Sequence, residues 1–267
     1  MRKRSVFLIW LVILFPLNNI SSFGGDVNNK VINNSICVVS TSSLFDLAAP
    51  VQDPLFAEST IKNYINSFPG VSEDALKYAL TGFNQLLEQG KVFKKDILTI
   101  VDFSKPSTQE RLFVINLKSK EIMIKSLCAH GKNSGENWAN KFSNLSQSYE
   151  SSLGFYIANE TYEGTHGYSL RLDGQENGIN DRARDRGVVM HGAEYVSNAF
   201  INATGRLGRS EGCPALPLDK FEKVISLIKG GSCLFIYHPD KYYRSHSPIL
   251  KHYSESCLAD VVSALGE

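Results

Sequence analysis

The stretch ILTIVDFSKPSTQERLFVINLKSKEIMIKSL, residues 97–127, decides the fold because it contains three apolar runs with a period of two. Residues 97–103, 111–117 and 121–127 are rich in Ile, Leu, Val and Phe, a composition that favours β-strands. Only residues 118–120 separate the second run from the third, and this spacing is typical of a hairpin. The stretch therefore predicts that this part of the chain folds as a β-rich domain.

The β character continues towards the carboxyl terminus. Three further segments have the composition of strands: residues 155–158, 188–191 and 233–238. A Gly- and Asp-rich stretch that ends at Gly187 separates the first two, and one predicted helix, residues 218–229, is followed by a Gly-Gly pair. We predict a mainly β (α+β) domain over residues 95–240.

Residues 55–94 predict a helical hairpin in front of the β domain. Its second helix spans residues 73–88, with Ser72 as the N-cap and Gly90 as the stop signal. Apolar side chains form a broad stripe along this helix, so we predict that the hairpin packs on the β domain in a purely structural role.

The amino-terminal residues 1–24 have the pattern of a cleavable secretory signal. Three basic residues precede an apolar run, residues 6–17, whose 12 residues fall short of the ~20 that a membrane span needs. An uncleaved membrane anchor is the alternative. Residues 25–54 are rich in Asn and Ser and predict a linker, and residues 241–267 predict a polar tail with a helix at 256–265.

Signal cleavage changes the charge balance of the protein. The full chain has 28 Lys and Arg against 27 Asp and Glu, and removal of three basic groups leaves 25 against 27, a formal charge of −2. No basic surplus remains that would favour nucleic acid or an anionic membrane as a partner. Export permits disulfides, yet the chain has five cysteines, so at least one thiol has no partner within it.

The segment GRSEGCP, residues 208–214, is the best candidate for a reactive loop. Its glycines and its proline predict a tight turn that presents the Cys213 thiol beside backbone N–H groups. A cysteine nucleophile needs a base, and His191 at the end of a predicted strand is the candidate. The Gly212 and Cys213 amides would supply the oxyanion donors. The alternative is a disulfide from Cys213 to Cys233.

These residues resemble a known family. The pair His191-Gly192 followed by Ser210-x-Gly212-Cys213 is similar to the signature of L,D-transpeptidase (YkuD-like) catalytic domains. Two further segments resemble the divergent branch of murein L,D-transpeptidase catalytic-domain proteins: GTHGYSLRLDG at residues 164–174 and CPALP at residues 213–217. The resemblance covers residues 95–240.

The resemblance implies a β-sandwich catalytic domain in the periplasm or cell envelope of a bacterium, acting on tetrapeptide stems of peptidoglycan. It implies that Cys213 attacks the stem and releases D-Ala, with His191 as the base and the Gly192 carbonyl as its orienting group. The acyl group would pass to an amine on an acceptor stem, without a metal or cofactor. The alternatives are an L,D-carboxypeptidase or amidase that uses water, and a non-catalytic peptidoglycan-binding protein.

The chain departs from the family pattern on both sides of the cysteine. Glu211 and Ala215 stand where many members have His and a cationic or amide residue. We expect the Glu211 side chain to point away from the thiol and a cation elsewhere to bind the stem carboxylates. The predicted substrate-binding residues are Ser210, Arg209, His166 and Arg171, with Arg206 as a further candidate.

Two other groups of polar residues have simpler interpretations. Cys128 and His130 have an i, i+2 spacing that could form a zinc site with His166, but we expect the histidines to line the cleft or to cap strand ends. The alternating charges of residues 181–186 predict a salt-bridged loop, with binding of stem carboxylates as the alternative.

Overall fold

The computed structural model describes residue 64 and residues 66–251. The predicted signal at 1–24, the linker at 25–54 and the tail helix at 256–265 lie outside the described residues, as does most of the first helix of the hairpin. None of the helices in the described part of the chain has the length and apolar character to cross a membrane.

Eight strands form one mixed sheet in the order β3-β2-β1-β8-β4-β5-β6-β7. The strands are β1 Ile97–Asp102, β2 Leu112–Asn116, β3 Glu121–Ser126, β4 Gly154–Gly164, β5 Gly167–Gly174, β6 Val189–Gly192, β7 Ala215–Leu216 and β8 Ser232–Tyr237. The β1/β8 and β6/β7 pairs are parallel, and the other pairs are antiparallel. The prediction of a mainly β domain is confirmed, including the hairpin of residues 111–127.

The two edges of the sheet are joined just beyond β3. Ala129 forms an isolated antiparallel bridge with Ala215 of β7, and its N–H donates to the Ala215 carbonyl at 2.8 Å. Gly131 forms a second bridge with Ser210. The sheet is therefore nearly closed on itself, and the segment that carries the candidate nucleophile lies at the seam.

Helix α1, Glu73–Glu88, has the predicted bounds. Ser72 occupies the N-cap position, although its hydroxyl makes no capping hydrogen bond, and Gly90 ends the segment with a φ of +69°. The apolar stripe is buried, and a Cβ added at Gly82 would lie 2.1 Å from the Phe155 ring of β4. The helix therefore packs closely on the β-sheet.

The sequence predicted residues 155–158 of β4 as a strand, but the outer part of β4, strand β5 and two shorter elements were not predicted. Beyond Ala158, β4 continues through residues that are mostly half-buried or exposed, and its register shifts between Ala158 and Thr161. The apolar alternation that marks a strand is therefore lost there. Helix α2, Asn198–Thr204, buries no residue, and β7 has only two residues, so neither leaves a periodic pattern.

Two helices complete the described chain. Helix α3, Phe221–Ile228, lies within the predicted 218–229 segment and buries Val224, Ile225 and Ile228. Helix α4, Lys241–His246, falls in the segment predicted as a polar tail. Tyr243 of this helix and Ile249 and Leu250 beyond it are buried in the core, so part of this segment contributes to the packing of the domain.

Candidate active site

His191 lies near the carboxyl end of β6, directly opposite Ala215 of β7 in the parallel register. Its side chain is buried, and Nδ1 lies 2.9 Å from the Gly192 carbonyl oxygen. A carbonyl only accepts, so Nδ1 carries the proton and Nε2 keeps its lone pair. Burial lowers the pKa of His191, and the hydrogen bond to Gly192 opposes this effect only in part. The ring is therefore a neutral base held in one tautomer.

Cys213 is half-buried and lies two residues before Ala215 of β7. In β6, Val189 lies two residues before His191, the residue that pairs with Ala215. Its Sγ accepts from the Val189 N–H at 3.5 Å and lies 3.7 Å from the Gly187 carbonyl oxygen, to which the thiol donates. Within residues 66–251 the hydrogen bonds of the thiol go to these backbone groups and not to His191. Burial raises the pKa of the Cys213 thiol, while the Val189 N–H opposes that rise.

All three cysteines in the described chain are free thiols. Cys233 is buried in β8 and makes no disulfide with Cys213. Burial raises the pKa of Cys128 to about 12 and also raises that of Cys233, so both are unreactive thiols near neutral pH. Cys213 is therefore the accessible thiol of the described residues.

The turn before Cys213 is held by its own polar groups. Ser210 Oγ donates to the Cys213 carbonyl oxygen at 2.6 Å and accepts from the Gly212 N–H at 3.1 Å. Gly212 has a φ of +125°, and a Cβ there would lie 2.9 Å from the Glu150 carbonyl oxygen. The Gly212 amide is thus already bonded, whereas the Cys213 N–H makes no hydrogen bond to another described residue.

His166 lies at the tip of the β4/β5 hairpin, where the sequence suggested a cleft residue. Its ring stacks on the His191 ring, with centroids 4.3 Å apart and an interplanar angle of 16°. The His166 side chain is exposed, so it covers the base from the solvent side. Its charge also contributes to the lowered pKa of His191.

Each of the predicted cationic binding residues already has a carboxylate partner. Arg209 and Arg206 both pair with Glu136, at 2.7 and 2.8 Å. Arg171 lies 3.3 Å from Glu160 and over the Tyr162 ring. A stem carboxylate would therefore have to compete with these surface pairs, which are individually weak.

The side chains of Glu211 and Ser210 have other partners than those of the arginines. The Glu211 carboxylate is exposed and pairs with Lys132 at 2.9 Å, so its charge is compensated at the surface. Ser210 is buried, and both hydrogen bonds of its hydroxyl lie within the turn that carries the thiol. The geometry therefore gives Ser210 a part in shaping this turn.

His130 is part of a buried polar cluster. Its Nδ1 accepts from Nη2 of the buried Arg111 at 2.7 Å, and its Nε2 lies 3.3 Å from the Gly135 carbonyl oxygen. Burial and the Arg111 charge lower the pKa of His130 to about 3, so the ring is neutral. In the described part of the chain, His, Cys, Asp and Glu side chains form no group of three that could hold a metal ion.

The sequence did not predict the backbone groups around the thiol or the role of Arg186. Gly187 and Val189 contact Sγ through main-chain atoms, which leave no residue-type signal. Arg184 forms salt bridges, but with Asp173 and Glu160 outside the charged loop and not with a carboxylate of residues 181–186. Arg186 instead binds neutral groups next to the nucleophile turn.

The structure therefore defines a β-rich domain with a buried histidine on one strand and a free cysteine just before its parallel neighbour. The family model for the L,D-transpeptidase catalytic domain (YkuD_2) matches residues 68–237, and the chain belongs to this family. Members of the family act on the peptide stems of cell-wall peptidoglycan. The comparison with curated proteins gives no match.

Solved structures with some likeness to this chain come from several bacteria. An L,D-transpeptidase from Mycobacterium smegmatis is 15% identical with a TM-score of 0.34, over 54% of this chain and 59% of that one. The helical cell shape determining protein of Campylobacter jejuni is 14% identical with a TM-score of 0.35, over 60% of this chain and 54% of that one. The chain thus spans less than two thirds of the length of these proteins.

Proposed function

We propose that this protein is an exported cysteine L,D-transpeptidase that acts on the tetrapeptide stems of peptidoglycan. The observation that supports the proposal best is the β6/β7 register, which sets His191 against the strand that Cys213 precedes. His191 is neutral, its Nε2 makes no hydrogen bond to another described residue, and Cys213 is an accessible free thiol. This is the pair of groups that acyl transfer through a thioester requires.

In the first half-reaction, the Cys213 proton passes to His191 Nε2 and Sγ bonds to the carbonyl carbon of the scissile amide. The carbonyl oxygen becomes an oxyanion, and the Cys213 N–H, which has no partner among the described residues, is its first donor. The Gly212 N–H becomes the second donor when the Ser210 hydroxyl releases it. The C–N bond then breaks, and D-Ala leaves with the proton from His191.

In the second half-reaction, the amine of an acceptor stem attacks the thioester. His191 removes a proton from this amine, the new amide forms, and the Cys213 thiolate leaves. If water enters instead, the product is a tripeptide, as in an L,D-carboxypeptidase. The contact between Sγ and His191 Nε2 has to form in the substrate complex, because catalytic hydrogen bonds often tighten only there.

Incubation of the mature protein with disaccharide tetrapeptide tests this proposal. We expect mass spectrometry to detect free D-Ala and a cross-linked dimer. A tripeptide without dimer would instead establish the carboxypeptidase alternative. Absence of both D-Ala release and dimer, with retained binding to peptidoglycan, would contradict the enzyme and favour a binding protein.

His166→Ala is expected to change the ionisation of the base. Loss of the stacked ring removes a group that disfavours protonated His191, so the pKa of His191 rises. The acid limb of kcat/KM against pH then moves to higher pH. His246→Ala, which removes an exposed histidine stacked on Tyr242 of α4, is the matched control. An unchanged acid limb in His166→Ala would show that the stacking has no electrostatic effect.

A further inference from the structure

The Arg186 side chain lies beside the nucleophile turn. It is half-buried, and Nη1 donates to the Ser143 carbonyl oxygen at 2.7 Å and to Ser152 Oγ. Nη2 donates to the Glu150 carbonyl oxygen at 2.7 Å and to Ser148 Oγ at 3.2 Å. All four Nη hydrogens thus donate to groups within the protein. The guanidinium therefore has no pair of free Nη–H donors with which to bind a stem carboxylate.

These four acceptors are neutral, and no carboxylate in the described part of the chain pairs with Arg186. Its neighbour Arg184 is different, because two carboxylates, Asp173 and Glu160, neutralise it at the surface. A guanidinium remains protonated in proteins, so Arg186 carries a full positive charge that only dipoles solvate. Partial burial reduces the screening of this charge by water.

The charge lies close to the residue that precedes the nucleophile. A Cβ built on Gly212, the residue before Cys213, would be 3.4 Å from Arg186 Nη2. The residues that follow Arg186 surround the same sulfur, since Gly187 provides the carbonyl and Val189 the N–H that contact Sγ. Arg186 therefore binds the 143–152 loop, lies close to the nucleophile turn and shortly precedes β6.

Several other charged or titratable groups face this region. Glu211 opposes ionisation of the thiol, but it is exposed and pairs with Lys132. Tyr195 also interacts electrostatically with Cys213, and burial raises the pKa of this phenol, so it is uncharged at neutral pH. Glu150 interacts with Arg186 itself. Arg186 is thus the cation among these groups that favours the thiolate.

We infer that Arg186 is a positioning residue that holds the nucleophile turn and stabilises the Cys213 thiolate by its unneutralised charge, and that it does not bind the stem carboxylate. This inference rests on the proposed function, in which the thiolate is the attacking group. It replaces the interpretation of Arg186 as part of a salt-bridged loop.

The pH dependence of Cys213 alkylation by iodoacetamide tests the inference in the folded full-length protein without any substrate. Peptide mass spectrometry separates labelling of Cys213 from labelling of the other cysteines. We expect Arg186→Gln to slow alkylation at pH 7 by about tenfold or more, because loss of the charge lowers the thiolate fraction. The rate at high pH, where the thiol is fully ionised, should remain the same.

Two variants separate charge from structure. Arg186→Lys keeps the charge and loses the paired N–H donors of the guanidinium. Its alkylation profile should lie within about threefold of the wild type at each pH. Ser148→Ala removes one neutral acceptor and keeps the cation. Its alkylation profile should also lie within about threefold of the wild type at each pH. Arg184→Gln removes a neighbouring arginine that carboxylates already neutralise, and it should leave the profile unchanged.

The inference is overturned if the Arg186→Gln profile superimposes on that of the wild type, or if Arg186→Lys is slowed as much as Arg186→Gln. If Arg186→Gln does not fold, as judged by circular dichroism, a tenfold slowing in Arg186→Lys overturns the inference and a near-wild-type profile supports it. The proposed function is tested separately. If the Arg186→Gln profile is shifted but the wild-type protein never releases D-Ala, the transpeptidase is contradicted and the role of Arg186 is left intact.

Discussion

Cys213→Ala is expected to reduce D-Ala release from disaccharide tetrapeptide by a factor on the order of 10⁴ or more. Removal of a nucleophile in an acyl-transfer enzyme leaves only binding and oxyanion stabilisation, which account for a small part of the rate. The wild-type protein should also form a thioester whose mass exceeds that of the free protein by the donor minus D-Ala. Peptide mapping should place this adduct on Cys213.

The control for this prediction is Cys233→Ala. Cys233 is a free cysteine buried in β8, and burial raises the pKa of its thiol. It is therefore a thiol without thiolate character at neutral pH, and its loss should change the rate of D-Ala release by less than about threefold. A Cys213→Ala protein with full activity, or an adduct mapped to another residue, would overturn the assignment of the nucleophile.

The sequence predicted those elements whose burial follows a regular period. Strands β1 and β2 are apolar because nearly all of their residues are buried, and helix α1 repeats apolar residues because one face of it lies on the core. The bounds of β1 to β3 and of α1 agree with the prediction within one or two residues. In the β4/β5 hairpin, β4 is half-buried or exposed beyond Ala158 and its register with β5 shifts, so the same signal is absent there. Tertiary pairing, and not local propensity, determines that hairpin.

In the candidate site too, some features follow from residue types in the sequence and others depend on tertiary structure. Cys213 and His191 were predicted because their chemistry depends on residue type and on the neighbouring glycines. The contacts that organise them depend on register, since Val189 reaches the sulfur only because β6 and the turn before β7 lie side by side. Arg186 was misinterpreted because the charges in its own segment suggested local salt bridges. Its actual acceptors lie 34 to 43 positions away in the chain.

His191→Ala should reduce kcat/KM for D-Ala release by about 10²- to 10⁴-fold, the usual contribution of a general base. The shape of the pH profile distinguishes this role from a structural one. Burial lowers the pKa of His191, so the wild-type acid limb should lie below pH 6.5, the ordinary value for histidine. Below that limb the ring is protonated and cannot accept the thiol proton.

Without the histidine, the thiol must ionise into solution before it attacks. Burial raises the pKa of Cys213, so the residual rate of His191→Ala should increase about tenfold per pH unit up to at least pH 8.5, the ordinary value for cysteine. The wild-type rate should be nearly flat over the same range, because the neutral base is already present. Added imidazole should partly restore the activity of His191→Ala, since it supplies the missing base. An acid limb that persists unchanged in His191→Ala, together with no response to imidazole, would show that another group is the base.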